Sequence, residues 1–280
     1  MYLIADAGST KCDWVLFDHS QSIYFKTKGI NPSTQDQNTI NKSILELREQ
    51  LAFNPHKIFF YGAGCSSPSA INIITTILTQ SFLSADIYIY TDLLGTARAL
   101  CDGKPGIVAI LGTGSHAAFC DGHKIIHQLP SLGYLLGDEG SGNYLGKSIL
   151  QAYFLGKLDS ELELKFEQEY PEIKQDFIFQ LYHSESVSAF LAKYAAFIIK
   201  YKNHPSIAKI IEMAIDTFIT TRLIIYKEKQ GIPVHLCGSI ASLLSMEIKQ
   251  RIIKFGLEPG IFLQKPITEI MKYHLTYEYN

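Results

Sequence analysis

The chain has 280 residues, of which 47% are hydrophobic and 19% charged, and its 25 basic and 27 acidic side chains give a formal net charge of −2. This composition supports a buried core and excludes a disordered or fibrous protein. The near-neutral charge leaves no basic surface for nucleic acid, and no apolar run is long enough to span a membrane. Five scattered cysteines without C-x-x-C spacing argue against a disulfide framework or zinc site. We therefore expect a cytoplasmic globular protein that binds neither nucleic acid nor membranes.

The N-terminal segment predicts three strands followed by a helix. Residues 2–5, 12–17 and 22–25 are β-rich runs separated by turns. Apolar side chains then recur at helical spacing, at Ile40, Ile44, Leu47 and Leu51. Thr39 directly precedes them and is a plausible N-cap.

Helices and strands alternate in the next segment. The pattern predicts a strand over 57–61, a helix over 69–82 and a strand over 86–90 that ends at Thr91-Asp92. Strands that alternate with helices favour a mainly parallel, doubly wound sheet with an antiparallel start. The length suits one large α/β domain or two smaller ones.

The opening pattern of strands and turns then occurs a second time. An apolar run over 107–111 leads into Gly112-Thr113-Gly114-Ser115, and a further strand ends before a turn at Asp121-Gly122. Gly8-Ser9 aligns with Gly114-Ser115, and Asp18-His19 aligns with the second turn. A repeat of this length is typical of a duplicated domain, although two unrelated hairpins are the alternative. Duplication would place the two glycine turns opposite each other across a cleft.

The rest of the chain is mostly helical. We predict helices over 187–201, from Pro205 to Lys229 and over 243–255, with a strand over 234–237. Gly146-Lys147-Ser148 resembles the end of a Walker A loop, but Ser141 stands where that motif needs glycine. The sequence also lacks H-x-x-H, H-E-x-x-H and G-x-S-x-G, which excludes zinc hydrolases and nucleophile elbows. His116, His127 and His235 are interpreted as structural.

Two glycine loops and three acidic features could carry chemistry, and the loops, Asp92 and the second acidic segment also have a structural alternative. The two glycine loops could bind phosphate through backbone N–H groups or could simply turn the chain. Asp6 ends a strand, where a carboxylate could hold hydrated Mg²⁺. Asp92 could be a ligand-site residue or a helix cap. Gly137-Asp138-Glu139-Gly140-Ser141 could be a site or an acidic helix cap.

Taken together, these segments resemble the N-acetylglucosamine kinase family, one of the BadF/BadG/BcrA/BcrD-type ATPases within the actin and sugar-kinase superfamily. The resemblance covers residues 1–255, and its most specific element is G-D-E-G-S after L-G-T-G-S. It implies an α/β, duplicated actin-like (ribonuclease H-like) fold with an ATP cleft between two domains. The domains would be 1–111 and 112–266, with a last helix over 267–280 packed back onto the first.

The resemblance also implies site residues. Asp92 would be the catalytic base, Asp6 would position Mg²⁺, and sugar contacts would come from Asn31, Asp92, Gly137 and Asp138. The ATP phosphates would be bound by Gly8, Ser9, Thr10, Lys11, Thr113, Gly114 and Ser115, and the adenosine side by Gly238 and Ser239. The small-residue G-G-A stretch that often completes the family's adenosine pocket is absent, since 265–273 runs through that position. The region 158–185 matches no family segment.

The implied activity is ATP-dependent phosphorylation of an amino sugar, with N-acetylglucosamine and its 6-hydroxyl favoured over glucosamine or N-acetylmuramic acid. A homodimer is a family-level expectation. The main alternative is an ATPase that activates or regulates a partner protein, and the scattered cysteines argue against the cluster-bridging activators of that class. A sugar-binding regulator that has lost transfer is a second alternative.

Overall fold

A computed structural model of the protein describes residues 1–229 and 231–277. The strands are β1 (Tyr2–Ala7), β2 (Lys11–Phe17), β3 (Ser22–Lys28), β4 (Lys57–Gly62), β5 (Asp86–Thr91), β6 (Gly106–Leu111), β7 (Ser115–Cys120), β8 (Ile125–Gln128), β9 (Pro233–Cys237) and β10 (Glu258–Leu263). The helices are α1 (Gln37–Gln50), α2 (Pro68–Ser81), α3 (Asp92–Cys101), α4 (Gly133–Leu136), α5 (Gly142–Phe154), α6 (Ser160–Glu169), α7 (Phe177–Tyr182), α8 (Val187–Ala192), α9 (Ala195–Lys200), α10 (Pro205–Phe218), α11 (Ser239–Leu243), α12 (Ser245–Lys254) and α13 (Ile267–Tyr277). None of these described helices has both the length and the apolar character needed to cross a membrane.

The first sheet has the strand order β3-β2-β1-β4-β5. In this sheet β2 pairs antiparallel with both β1 and β3, whereas β4 pairs in parallel with both β1 and β5, as the sequence predicts. Successive side chains of a strand point to opposite faces. Leu3 and Ala5 therefore join the core that α1 and α2 cover, whereas Ile4 joins the core that contains Ile267 and Ile270 of α13. Asp6 has the same parity as Ile4 and so belongs to the α13 face.

The second sheet has the strand order β10-β9-β6-β7-β8. Written in reverse, the order is β8-β7-β6-β9-β10, which matches the first sheet strand by strand. This match confirms the predicted duplication. The turns after the second strand of each sheet also match. The Asp18 Oδ1 accepts hydrogen bonds from the backbone N–H groups of Ser20 and Gln21, and the Asp121 Oδ1 accepts them from His123 and Lys124.

The alignment of the glycine loops differs from the expectation. β1 and β6 end at Ala7 and Leu111, and β2 and β7 begin at Lys11 and Ser115. Gly8 therefore corresponds to Gly112 and not to Gly114. The sequence alignment was shifted because Gly-Ser occurs once in each loop, but at different positions relative to the strands.

Two compact units make up the chain. Unit 1 comprises 1–108, 118–128 and the segment from Lys265 onward, and unit 2 comprises 109–117 and 129–264. Within unit 1, α13 packs against α3, β1 and β2. The domain boundaries 1–111 and 112–266 stay a prediction, and residues 278–280 of the predicted last helix lie outside the described residues.

Several predicted helix bounds were wrong. The N-cap of α1 is Asp36 and not Thr39, because the Asp36 Oδ1 accepts a hydrogen bond of 3.0 Å from the Thr39 backbone N–H. The predicted helix over 187–201 is divided into α8 and α9 at Tyr194, whose fully buried ring packs among the rings of Phe166, Tyr170 and Phe190. Bonds from Tyr194 N to Leu191 O and from Phe197 N to Tyr194 O tighten the chain there into 3₁₀ turns.

Further differences concern the C-terminal half. The helix from Pro205 ends at Phe218 and continues as a π turn, Ile219–Leu223, and a 3₁₀ turn, Ile224–Tyr226. The helix predicted over 243–255 is α11 followed by α12, separated at Leu244. Strand β10 was not predicted, because Pro259 and Gly260 are unusual within a strand.

Candidate active site

The loop between β1 and β2 is held from within unit 1. Gly8 N donates to Lys11 O at 3.0 Å, Gly29 N donates to Thr10 O at 3.1 Å, and Ile30 N donates to Gly8 O at 3.0 Å. A Cβ atom on Gly29 would lie 2.4 Å from the backbone of Ser9, so only glycine allows this approach. The loop backbone is therefore fixed before any ligand binds.

Asn31 joins this loop through its side-chain amide. Its Nδ2 donates to the Ser9 Oγ at 2.8 Å, and its Oδ1 accepts from the Ser33 backbone N–H at 3.0 Å. Gly64 has φ +79°, and a Cβ there would lie 2.1 Å from the Asn31 Oδ1. The structure thus brings the predicted sugar-binding asparagine next to the predicted phosphate loop.

Three aspartates create a strong negative field at the ends of the strands. Asp6 and Asp13 are opposite each other on β1 and β2. The pKa of Asp6 is raised to about 7, first by burial and then by the negative charges of Asp92 and Asp13, while Lys11 and Lys265 oppose the shift. The Lys265 Nζ lies 2.8 Å from the Asp13 Oδ1 and neutralises that buried carboxylate. These contacts indicate a site that favours a cation or a proton at Asp6.

Asp92 lies at the start of α3, directly after the parallel strand β5. The N-cap is Thr91, whose Oγ1 accepts a hydrogen bond from Leu94 N at 3.3 Å. The Asp92 Oδ1 accepts one from the Leu93 backbone N–H at 2.8 Å. The helix N-terminus stabilises the ionised carboxylate. Because Thr91 is the N-cap of α3, the alternative in which Asp92 caps this helix no longer holds. The interpretation of Asp92 as a ligand-site residue is left.

The glycine loop between β6 and β7 contacts the first turn of α5 in unit 2. Gly112 N donates to Gly114 O at 3.0 Å. Gly142 N donates to Gly112 O at 2.8 Å, and Asn143 N donates to Thr113 O at 3.0 Å. Two backbone N–H groups of a helix N-terminus, which have no partner within the helix, are therefore used to hold the loop.

Asp138 braces the same loop. Its Oδ1 accepts a hydrogen bond from Ser115 N at 3.2 Å, and its Oδ2 accepts one from the Asn143 Nδ2 at 2.7 Å. Burial raises the pKa of Asp138, while the bonds from Asn143 and Ser115 oppose the shift. Its φ of +58° is uncommon for a residue with a side chain. A Cβ on Gly114 would lie 2.9 Å from the Asp138 Oδ2, so the loop needs glycine there.

The segment around Asp138 is fixed by a part-buried ion pair. The Arg222 Nε lies 3.1 Å from the Glu139 Oε2, and the Arg222 Nη1 donates to Pro130 O at 2.8 Å. Arg222 belongs to the π turn Ile219–Leu223. A Cβ on Gly137 would lie 2.9 Å from the Arg222 Nη2. This pair explains why the segment carries a second carboxylate that does not contact the loop.

Gly238 and Ser239 lie at the end of β9, and Ser239 begins α11. Gly238 has φ +119°, and a Cβ there would lie 2.3 Å from Leu111 O, the last residue before the second glycine loop. The predicted adenosine-side residues are therefore neighbours of the predicted phosphate loop in unit 2.

The glycine loop between β6 and β7 ends at Ser115, whose buried hydroxyl has no hydrogen-bond partner among the described residues. Among the residues that the structure describes, the Ser115 Oγ is one of few buried side-chain polar atoms in that state. Leaving a buried hydroxyl unsatisfied costs free energy, and such groups call for an explanation. A ligand that offers an acceptor at this loop would supply one.

The remaining motifs are structural. Lys147 lies within α5, half-buried, with its Nζ 5.4 Å from the centre of the Tyr144 ring. The His235 Nδ1 accepts a hydrogen bond from Ile261 N at 3.1 Å, and burial lowers the pKa of His235. The His116 Nε2 lies 2.9 Å from Leu129 O. No group of three His, Cys, Asp or Glu side chains in the described ranges could hold a metal on its own.

Comparisons with known proteins identify the family. No protein-family model and no curated sequence matches the chain. A candidate N-acetylglucosamine kinase from Porphyromonas gingivalis has a TM-score of 0.89 and 33% sequence identity over 99% of each chain. This chain belongs to the N-acetylglucosamine kinase family. The family comprises sugar kinases, and the actin-like fold expected from the resemblance is confirmed.

More distant structures share the fold of this N-acetylglucosamine kinase family member. A candidate N-acetylglucosamine kinase from Chromobacterium violaceum has a TM-score of 0.76 at 17% identity, over 97% of this chain and 98% of the other. A ROK family glucokinase from Streptomyces griseus, solved with glucose and AMPPNP, has a TM-score of 0.58 at 12% identity over 97% of each chain.

In this member of the N-acetylglucosamine kinase family, the sequence did not reveal several residues that support the candidate site. Asn143 follows the G-D-E-G-S segment but belongs to no motif that we used. Lys265 is far from Asp13 in sequence, and only the return of α13 to β2 brings the two together. The parity of Asp6 and Asp13 in paired strands was a usable signal, because it predicts a shared face.

Proposed function

We propose that the protein transfers the γ-phosphoryl group of ATP to a hydroxyl of an amino sugar, with the 6-hydroxyl of N-acetylglucosamine as the favoured acceptor. The observation that carries this proposal is that Asp6 and Asp92 lie at the same end of the parallel strands β1 and β5, next to the hydrogen-bonded glycine loop between β1 and β2. Two acidic groups at the carboxyl ends of strands suit a reaction that needs both a base and a cation site. The 33% identity to a candidate N-acetylglucosamine kinase supports the choice of sugar.

Asp92 is the proposed general base. A sugar hydroxyl is almost entirely protonated at neutral pH, so its proton must leave as the new O–P bond forms. The Asp92 carboxylate accepts that proton while the bond between the γ-phosphorus and the bridging oxygen of ADP breaks. General-base catalysis contributes about 10²–10⁴-fold to the rate. Asp92 lies in the first turn of α3, where the helix dipole favours a negative charge.

The two glycine loops are the proposed phosphate-binding elements. Gly8, Ser9, Thr10 and Lys11 form the first loop, whose proposed donors are two hydroxyls and one ammonium group, and Thr113, Gly114 and Ser115 form the second, whose proposed donors are two hydroxyls. Gly8 N and Ser115 N already donate to Lys11 O and to the Asp138 Oδ1. The Ser115 Oγ is buried and has no hydrogen-bond partner among the described residues. This supports the assignment, because a phosphate oxygen would accept a hydrogen bond from the Ser115 hydroxyl. Gly238 and Ser239 are proposed to line the adenosine side, since Gly238 adjoins Leu111.

Asp6 is the proposed residue for Mg²⁺. The ion prefers oxygen ligands, keeps several waters and is usually held by one or two carboxylates together with substrate phosphates. The residues fit this mode, since burial and then the negative charges of Asp92 and Asp13 raise the pKa of Asp6, and a cation would stabilise its ionised carboxylate. Bound Mg²⁺ would neutralise charge on the phosphate oxygens.

Asn31, Gly137 and Asp138, together with Asp92, are the proposed sugar contacts. Asn31 uses one amide proton on Ser9, which leaves its second amide proton for an acceptor on the sugar. Asp138 already accepts a hydrogen bond on each carboxylate oxygen, and each oxygen can accept one more. Asp138 therefore combines support of the loop with capacity to bind a sugar hydroxyl.

The test is ADP release from ATP and Mg²⁺ over a panel of N-acetylglucosamine, N-acetylmannosamine, glucosamine, N-acetylmuramic acid and glucose, with the product identified by mass spectrometry. We expect release that depends on an amino sugar, highest with N-acetylglucosamine. Asp92→Asn should lower kcat by about 10²–10⁴ without loss of folding.

Asp86→Asn is the matched control, because Asp86 is the exposed first residue of β5, the strand that Asp92 directly follows. Its kcat should equal that of the wild type. Slow ADP release at one rate with every sugar would overturn the kinase and favour the partner-activating ATPase. Transfer to glucose alone would keep the kinase and overturn the amino-sugar assignment.

A further inference from the structure

Two cysteines that are separated in the sequence lie side by side in unit 1. Cys101 is the last residue of α3 and Cys120 the last residue of β7. Their Sγ atoms are 3.1 Å apart, and both thiols are buried and unbridged. Their spacing resembles no disulfide or metal motif, so the sequence alone did not connect them.

The surrounding backbone holds the two sulfur atoms together. The Cys120 Sγ donates to Gly106 O at 3.3 Å, which fixes one side chain. The turn that follows Cys120 packs on the chain that follows Cys101, since a Cβ on Gly122 would lie 2.3 Å from the backbone of Gly103. Gly122 has φ +104°, so this close approach depends on glycine. The backbone thus holds the two segments that carry these thiols together.

The two thiols differ in acidity. The hydrogen bond between the two thiols lowers the pKa of Cys120, while the same pairing and burial raise the pKa of Cys101. The thiolate is the form that reacts with oxidants. Cys65 offers a comparison, because burial and the charge of Asp92 raise the pKa of its thiol to about 12.

We propose that Cys101 and Cys120 form a redox modification site, at which a peroxide converts the two thiols into a reversible intramolecular disulfide. The Cys120 thiolate attacks one peroxide oxygen, the O–O bond breaks, and a sulfenic acid and hydroxide form. The Cys101 sulfur then attacks the Cys120 sulfur, the S–O bond breaks, and a second hydroxide leaves. The two hydroxides each take up one of the two thiol protons and become water. In sum, two thiols are oxidised, one hydrogen peroxide is reduced, and two waters form.

The test uses the full chain, reduced with dithiothreitol, desalted and exposed to hydrogen peroxide, then denatured in N-ethylmaleimide and cleaved before aspartate. This cleavage separates Cys101 from Cys120, because Asp92, Asp102 and Asp121 bound the fragments 92–101 and 102–120. We expect the two fragments to be recovered as one linked species, lighter than their sum by two hydrogen atoms. Dithiothreitol should separate them again.

Three variants complete the test. Cys101→Ser and Cys120→Ser should each abolish the linked species, and Cys65→Ser, which alters an equally buried thiol, should retain it. The proposal is overturned if the fragments 92–101 and 102–120 stay separate and alkylated, if they carry only sulfinic or sulfonic acid, or if either cysteine links to another fragment instead. This readout does not depend on the sugar or on kinase activity.

Discussion

The Asp138 carboxylate accepts a hydrogen bond of 3.2 Å from the backbone N–H of Ser115. This contact joins the two motifs that were most specific in the sequence, L-G-T-G-S and G-D-E-G-S. It explains their joint occurrence in physical terms, since the second motif supplies the carboxylate that supports the loop formed by the first. The absence of a side chain at Gly114 is part of the same arrangement, because Asp138 fills the space that a Cβ would need.

Gly114→Ala should therefore destabilise the protein. The new Cβ would lie 2.9 Å from the Asp138 Oδ2 and would displace a buried carboxylate, which costs about 1–3 kcal/mol. Gly112→Ala is the matched control, because a Cβ at Gly112 meets no atom within 4 Å. Its free energy of unfolding should differ from that of the wild type by less than about 0.5 kcal/mol. Urea unfolding of the ligand-free protein measures both, and equal losses would contradict the predicted role of Asp138.

Asn143→Ala should weaken both the fold and the second loop. It removes the donor to the Asp138 Oδ2 and leaves a buried carboxylate oxygen unsatisfied, at a cost of about 1–3 kcal/mol. The KM for ATP should rise more than kcat falls, because the affected loop is the proposed phosphate site. Ser188→Ala is the control, since it removes only the other partner of the Asn143 Nδ2. An Asn143 variant with the wild-type KM for ATP would show that the hydrogen bond between Asn143 and Asp138 does not affect ATP binding.

Asp6 should make stability depend on pH. Its pKa of about 7 in the folded protein exceeds the unfolded value of 3.8, so the folded state holds a proton that the unfolded chain has released. The free energy of unfolding should then fall as pH rises from about 4 to about 7. A shift of this size corresponds to about 4 kcal/mol, and the residual solvent contact of Asp6 reduces the effect to about 2 kcal/mol.

Asp6→Asn should lose that pH dependence. In metal-free buffer above pH 7, the variant should be more stable than the wild type by about 2 kcal/mol, and the difference should vanish near pH 4. Thermal or urea unfolding over this range provides the measurement. Parallel pH profiles for the two proteins would contradict the assignment. The same variant should lose sugar-dependent ADP release, because it removes the proposed residue for Mg²⁺.

Ser115→Ala should separate binding from stability. The Ser115 Oγ has no hydrogen-bond partner within the described residues, so its removal should change the free energy of unfolding by less than about 0.5 kcal/mol or should raise it. The KM for ATP should increase about 5–10-fold, as expected for one lost hydrogen bond of about 1–1.5 kcal/mol. Isothermal titration with a non-hydrolysable ATP analogue measures the affinity directly. Unchanged affinity would show that this hydroxyl does not contact the nucleotide.

Sequence patterns predicted those parts of the fold that depend on local chemistry. Alternating apolar runs and turn residues located β1, β2, β4 and β5, and Pro205 correctly marked the start of α10. Local sequence patterns did not predict the backbone conformation where long-range packing determines it. Tyr194 interrupts a continuous amphipathic run because its ring is buried among other rings, and no window of the sequence contains that information.

For the candidate site, the motifs identified loop residues but not their supports. Asp138 was predicted as a sugar contact by resemblance alone, and its bond to Ser115 could not be deduced from spacing. Cys101 and Cys120 looked unrelated, since a helix end and a strand end meet only in three dimensions. The pairing of Asp13 with Lys265 likewise depends on a long-range return of the chain.

The two sheets share one strand order, but the chain between their third and fourth strands is very unequal. The first half uses residues 29–56 there, whereas the second half uses 129–232, which include α4 to α10. Both ends of this longer segment are anchored in the second sheet, so its interior can change in length and composition without altering strand pairing. The second half therefore has the greater evolutionary freedom. Asp138, Asn143 and Arg222 lie in this segment and support the second glycine loop, so the freedom belongs to the parts of the segment beyond their contacts.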